Sequence, residues 1–171
     1  MPAFVLALAY WDPTKDYCRK AALAIFLTAC LTDALDGWIA RRLHQKTRLG
    51  SLIDPLADKI LLTSAYLALA WLPGVPDSSR LPVWLTVLVI SRDLILVTGA
   101  ATIFMMQNRF DPHTNYLGKV TTVFQMILVI AALAGISGSP LQILVVGTAV
   151  ATALSGAVYL KLGAAQLNAT R

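Results

Sequence analysis

Nine residues of this 171-residue chain are acidic, every one of them an aspartate, and four fall close together: Asp33, Asp36, Asp54 and Asp58. At helical spacing, Asp33, Asp36, Gly37, Ala40 and Arg41 share one face through i,i+3 and i,i+4 steps, and Gly50, Asp54 and Asp58 share a face of a second helix. A short loop between Arg41 and Gly50 makes the two helices an antiparallel pair whose carboxylates can converge. Four carboxylates packed together away from water cannot all ionise without a cation beside them. An all-oxygen donor set with no histidine or cysteine points to Mg²⁺ or Mn²⁺, with Ca²⁺ open, rather than to zinc. Two such ions would clamp a phosphate or diphosphate and stabilise both the attacking and the leaving oxygen. Gly37 and Gly50 let a ligand or the facing helix approach the backbone, and Arg41 at the mouth can fork onto phosphate oxygens. The competing structural reading, in which the aspartates pair with Arg41, Arg42, Arg48 and Lys59 to hold helix ends together, suits one carboxylate better than four at this spacing.

The elements that must position these residues are legible from composition. Hydrophobic residues make up 57% of the chain and charged residues 13%, outside the range of soluble globular domains. The apolar content lies in five long runs, roughly 21–40, 51–72, 82–106, 118–136 and 141–160, each near the length of a bilayer-spanning helix. Polar or Pro/Gly-rich breaks separate them, so the reading is an all-α polytopic membrane bundle of antiparallel neighbours. Eight Lys and Arg residues on the side of the 41–48 loop, against four on the other, place that loop in the cytoplasm and the protein in the inner, cytoplasmic membrane. Asp36, five residues before Arg41, then sits about 7 Å inside its helix end, in a pocket facing the cytoplasm. The basic residues are scattered and form no stripe with aromatics, so no nucleic-acid partner is expected. Cys18 and Cys30 make no metal or redox signature. Ala3 to Ala9 is too short to span a bilayer and lacks the basic flank of a signal peptide. It reads either as the tail of a spanning helix or as a re-entrant or interfacial segment.

The spacing D-x2-D-G-x2-A-R-x8-G-x3-D-x3-D, running from Asp33 through Asp36, Gly37, Ala40, Arg41, Gly50 and Asp54 to Asp58, resembles at every fixed position the signature of the CDP-alcohol phosphatidyltransferases, membrane enzymes of phospholipid synthesis. The resemblance implies six helices with the signature between the second and third, so that this chain carries helices two to six and a stub of the first. It implies that Asp33, Asp36, Asp54 and Asp58 bind the metals, that Asp58 is also the general base, and that Asp33, Gly37, Ala40 and Arg41 line the cytidine diphosphate site. It implies CDP-diacylglycerol and membrane lipid as partners, and a homodimer. The family's usual Asn-Leu-Leu-Thr-Leu-Leu-Arg-like opening is not found before Phe4.

Two further charges, Arg92 and Asp93, lie inside the third apolar run, and Lys119 begins the fourth. Intramembrane charges are candidates for function. Adjacent helical residues do not face each other, so Arg92 and Asp93 are not expected to pair simply with one another; the structural alternative pairs each with a neighbouring helix. In the functional reading Arg48, Arg92 and Lys119 form an anion pocket for a phosphate-bearing acceptor. The stretches 54–59 and 118–125 look like the phosphatidylglycerophosphate synthase branch, whose acceptor is glycerol 3-phosphate. Ser91-Arg92-Asp93 is also similar to cardiolipin synthases, whose acceptor is phosphatidylglycerol. A divalent-cation transporter is the rival from another class; the aspartates' position near one membrane face and the charge of Arg41 argue against it. His44 and His113 read as solvated loop residues, Trp11, Trp71 and Trp84 as interfacial anchors, and Gln125 as placed to hydrogen-bond across helices.

Overall fold

The computed structural model describes the backbone of residues 16–42, 50–73, 75–107 and 116–169, and the side chains of 17, 19–32, 35, 59–73, 75–99 and 116–161. Five helices account for nearly all of it: α1 (Asp16–Arg42), α2 (Gly50–Trp71), α3 (Val83–Gln107), α4 (Tyr116–Ala134) and α5 (Ser139–Ala169). Each apolar run of the sequence is thus one helix. The largest difference is at α5, which continues to Ala169 beyond the apolar run ending near 160, because helix-compatible residues follow Lys161. Residues 1–15, and with them the readings of Ala3 to Ala9 and Trp11, lie outside the described residues.

Helix ends follow from local chemistry. Pro73 cannot continue α2, and the loop after it folds back, with Leu81 N–H donating to the Leu69 carbonyl at 3.2 Å. Val75, Ser79 and Leu81 of this loop are buried and plug that end of the bundle. Gly135, at φ 82°, ends α4: its N–H donates to Ala132 O at 3.1 Å and that of Ile136 to Ala131 O at 3.0 Å, a Schellman cap. The site of a Gly135 Cβ is already filled by the Arg19 guanidinium of α1, which brings the start of α1 to the end of α4.

The core joins Ala22 and Phe26 of α1, Leu62, Tyr66 and Leu69 of α2, Leu85 and Val89 of α3, Leu128 and Leu133 of α4, and Leu141 and Val145 of α5. α4 packs against α1, α2 and α5, while α3 packs against α2 and α5. Outside this core the distribution of polarity is the reverse of a soluble protein's. Leu94, Ile143, Val146 and Leu154 are exposed, whereas Thr86, Arg92, Asp93, Thr121, Gln125, Thr148, Thr152 and Ser155 are buried. Among the described residues, Tyr116–Ala134 and Ser139–Lys161 are long and apolar enough to cross a bilayer by themselves. The protein is a polytopic membrane helix bundle. Trp71 and Trp84, both more than half exposed, flank the α2–α3 connection as interfacial anchors do.

Candidate functional site

Asp33, Asp36, Gly37, Ala40 and Arg41 stand on α1, and Gly50, Asp54 and Asp58 on α2, two helices in contact. The side chains of these residues lie outside the described residues, as do Arg48, His44 and His113 altogether. No group of three metal-ligating side chains occurs among the described residues, which leave out the four signature aspartates. Chemically their donor set, carboxylates alone, fits a hard divalent cation.

One residue beyond Asp58, the chain enters a charged network that joins α2, α3 and α5. Lys59 of α2 donates to Asp93 Oδ1 of α3 at 2.5 Å. Arg92 Nη1 donates to the same oxygen at 2.8 Å, and its Nη2 donates to Ser155 Oγ of α5 at 2.6 Å. The neighbours therefore do pair, contrary to the expectation from helical geometry. The three-carbon stem of arginine carries its guanidinium sideways around the helix, so the directions of the two Cβ atoms do not limit the reach of the head group. The structural alternative also holds in part, since each residue is bonded to another helix as well. Lys59, counted in the sequence among partners for the signature aspartates, reaches across to α3.

The setting of Arg92 is tight. Its side chain is only 4% exposed, and its guanidinium carbon lies 5.8 Å from the centroid of the Tyr159 ring, one helical turn beyond Ser155. Gly118 at the start of α4 closes the site: a Cβ there would stand 2.9 Å from Tyr159 Oη and 3.5 Å from Arg92 Nη2. Gly118 thus brings its neighbour Lys119 to the same end of the network. Lys119 itself is exposed, with its ammonium 5.9 Å from the centroid of the Tyr116 ring, and no hydrogen bond or ion pair joins it to Arg92 among the described residues. An open groove of about 300 Å³ runs along α2 from Lys59, lined by Ile60, Thr63, Ser64 and Leu67.

Two cations share one carboxylate oxygen here, Lys59 on the more open side and Arg92 on the buried side. Arg92 Nε and Asp93 Oδ2 are also buried without a hydrogen-bond partner among the described residues. Such orphans cost free energy unless something binds them. Lys59, Ser155 and Tyr159 are the participants that sequence reasoning missed. Lys59 carried a signal in its place next to Asp58, whereas Ser155 and Tyr159 look like ordinary helix residues. Gln125, expected to bond across helices, is fully buried, and neither of its amide atoms has a partner among the described residues.

Residues 1–155 match the CDP-alcohol phosphatidyltransferase family. The chain belongs to that family. Among curated relatives of this chain, "Cardiolipin synthase (CMP-forming)" of Rattus norvegicus is 37% identical over 180 aligned residues, covering 91% of this chain and 56% of the rat protein. A "Probable phosphatidylglycerophosphate synthase" of Mycobacterium tuberculosis is 37% identical over 130 residues, 75% of this chain and 57% of that one. A "CDP-diacylglycerol--glycerol-3-phosphate 3-phosphatidyltransferase" of Aquifex aeolicus is 34% identical over 117 residues, 68% of this chain and 61% of that one. The chain spans less than two thirds of the length of each of these relatives. CDP-alcohol phosphatidyltransferases generally use a divalent metal, in keeping with the donor set on α1 and α2.

Proposed function

We propose that the chain transfers a phosphatidyl group from CDP-diacylglycerol to sn-glycerol 3-phosphate and releases CMP. The observation that carries this reading is the buried Arg92 guanidinium, its Nε without a partner among the described residues, in a network that begins with Lys59 one residue after the last signature aspartate. A site of that charge beside a carboxylate cluster suits an acceptor that brings its own phosphate. Asp33, Asp36, Asp54 and Asp58 would hold two Mg²⁺ or Mn²⁺ ions, which when bound neutralise charge on the diphosphate. Asp33, Gly37, Ala40 and Arg41 line the cytidine diphosphate pocket. Arg92, with Arg48 and Lys119, binds the acceptor phosphate. Asp58 takes the proton from the acceptor hydroxyl as that oxygen attacks the β-phosphorus in line, and the bond from this phosphorus to the CMP oxygen breaks. The enzyme would act as a homodimer in the inner membrane, with the site toward the cytoplasm.

The test is CMP release by purified protein in detergent with CDP-diacylglycerol, Mg²⁺ and glycerol 3-phosphate. Release is expected, and Asp58→Asn should abolish it while leaving the helical signal intact. Failure with every acceptor would overturn the activity. A second reading is cardiolipin synthesis on phosphatidylglycerol, favoured by the wider coverage of this chain by the rat relative than by those of Mycobacterium tuberculosis and Aquifex aeolicus. Release with phosphatidylglycerol alone would select it.

A further inference from the structure

We infer that Tyr159 of α5 is a specificity-determining residue: its ring covers one face of the Arg92 guanidinium and leaves an edge-on approach that a phosphate monoester can take and a phosphate diester cannot. The inference rests on the activity proposed above and narrows the class of acceptor.

A guanidinium donates in its own plane, so an anion reaches it from an edge and not through a face. Two of the three nitrogens of Arg92 are engaged. Nη1 donates to Asp93 Oδ1 at 2.8 Å and Nη2 to Ser155 Oγ at 2.6 Å, which leaves Nε as the nitrogen without a partner among the described residues. Helix α5 crowds the rest of the side chain. The Tyr159 ring centroid stands 5.8 Å from the guanidinium carbon, and at Gly156 the backbone comes so near that a Cβ would lie 3.7 Å from Arg92 Cγ. The start of α4 backs the ring, since a Cβ at Gly118 would stand 2.9 Å from Tyr159 Oη. With its side chain only 4% exposed, Arg92 is open to a ligand along one narrow edge.

The two candidate acceptors differ at the phosphorus. Glycerol 3-phosphate has one ester bond, three terminal oxygens and a charge of about −1.5 to −2, so it can bring a bare oxygen to Nε and turn another toward Lys119 at the same end of the network. Phosphatidylglycerol has two ester bonds and a single charge. Carbon chains leave its phosphorus on both sides, and an oxygen delivered edge-on to Nε brings one of those chains against the Tyr159 ring. The ring thereby selects a terminal phosphate.

The quantity to measure is the ratio of kcat/KM for glycerol 3-phosphate to that for phosphatidylglycerol, from CMP release by the full chain in nanodiscs containing CDP-diacylglycerol. The wild type should favour glycerol 3-phosphate about a hundredfold or more. Tyr159→Ala should lower the ratio about tenfold, partly through loss of the cation–π contact and partly through admission of the diester, with the KM for CDP-diacylglycerol changed less than about twofold. Tyr159→Phe keeps the ring and should keep the wild-type ratio. Tyr159→Leu keeps most of the packing without the flat face, should fall between the two, and carries the test if Tyr159→Ala melts early. A wild type that uses both acceptors equally or phosphatidylglycerol alone, a ratio unchanged in Tyr159→Ala and Tyr159→Leu, or a Tyr159→Phe variant no more selective than Tyr159→Leu would overturn the inference.

A second readout needs no turnover. Glycerol 3-phosphate should raise the melting temperature of the wild type while its methyl ester, a small soluble diester, should not, and Tyr159→Leu should be stabilised by both to a similar extent. No rise with glycerol 3-phosphate, or an equal rise with its methyl ester in the wild type, overturns the inference. A wild type stabilised by the monoester alone that releases no CMP defeats the proposed reaction and leaves the selectivity of the phosphate site standing.

Discussion

Two seams of the bundle bury polar side chains, and they do so in opposite ways. Between α4 and α5 the polar groups are hydroxyls whose bonds are made. Thr121 Oγ1 lies 2.7 Å from the Leu117 carbonyl of its own helix and 3.1 Å from Ala151 O of α5. Thr148 Oγ1 donates to Phe124 O of α4 at 3.4 Å, and Thr152 Oγ1 to Thr148 O at 2.7 Å. Where α2, α3 and α5 meet, the groups are charges, and two of their atoms, Arg92 Nε and Asp93 Oδ2, are without a hydrogen-bond partner among the described residues. Small hydroxyl residues bonded to the backbone are how helices adhere in lipid, where apolar surfaces have no reason to prefer each other to acyl chains. Buried charged groups with atoms left unpaired give no such adhesion and lower stability. The contrast separates polar atoms that hold the bundle from polar atoms left without a partner among the described residues.

The sharpest way to break that contrast is Arg92→Met. If the charged seam were structural, its loss would destabilise the protein by about 3–5 kcal/mol, as when one partner of a buried pair is removed. The structure predicts otherwise, because Lys59 remains to hold Asp93. CMP release should fall about a hundredfold, the scale of two charge-assisted bonds, while the melting temperature stays level or rises. Loss of stability in step with activity would return Arg92 to the structural class.

A smaller effect is expected at Gly118. In Gly118→Ala the new methyl would meet Tyr159 Oη at 2.9 Å and Arg92 Nη2 at 3.5 Å. The tyrosine tip can give way, but the ring that faces the guanidinium moves with it. Acceptor KM should rise several-fold, on the order of 1 kcal/mol of binding, with the KM for CDP-diacylglycerol unchanged. An unaltered acceptor KM would remove Tyr159 and the start of α4 from the site.

Much of this was legible in the sequence, and the boundary has a physical cause. Runs of bilayer length became α1 to α5 because lipid offers the backbone no partner outside a helix. The family followed from Asp33 to Asp58, whose offsets lie within two adjacent helices. The charged seam joins residues far apart in the chain: Lys59 to Asp93, and Arg92 to Ser155. Which face of each helix meets the others depends on rotation about its axis, and no local spacing encodes that. Arg92 and Asp93 were misjudged for a related reason, since i,i+1 geometry constrains Cβ atoms and not the end of a long side chain. Gln125 failed as a cross-helix bond because its amide points into packing that supplies no donor or acceptor among the described residues.

Gln125 therefore tests the rule between the two seams. It sits on α4 close to the threonine stitching but resembles the charged seam in having buried polar atoms without partners. If the orphaned amide only costs stability, Gln125→Leu should raise thermal stability by about 1–2 kcal/mol and leave CMP release unchanged. Stability gained together with lost turnover would extend the ligand-facing polar atoms into α4.

The smallest effect belongs to the satisfied seam. Thr148→Val keeps the side-chain shape and removes the hydroxyl that donates to Phe124 O, a contact already long at 3.4 Å. Hydrogen bonds between membrane helices average about 0.6 kcal/mol, and the carbonyl left behind keeps its place in the helical ladder of α4. The expected result is a drop of about 0.5 kcal/mol in unfolding free energy, measured by denaturant titration in detergent, with both KM values unchanged. Thr148 lies seven residues before Ser155 on the same helix, so it reports whether α5 transmits a packing change along its length. A rise in acceptor KM in Thr148→Val would mean that the two seams are coupled through α5, and that the threonines set the position of Ser155 and Tyr159 as well as holding the helices together.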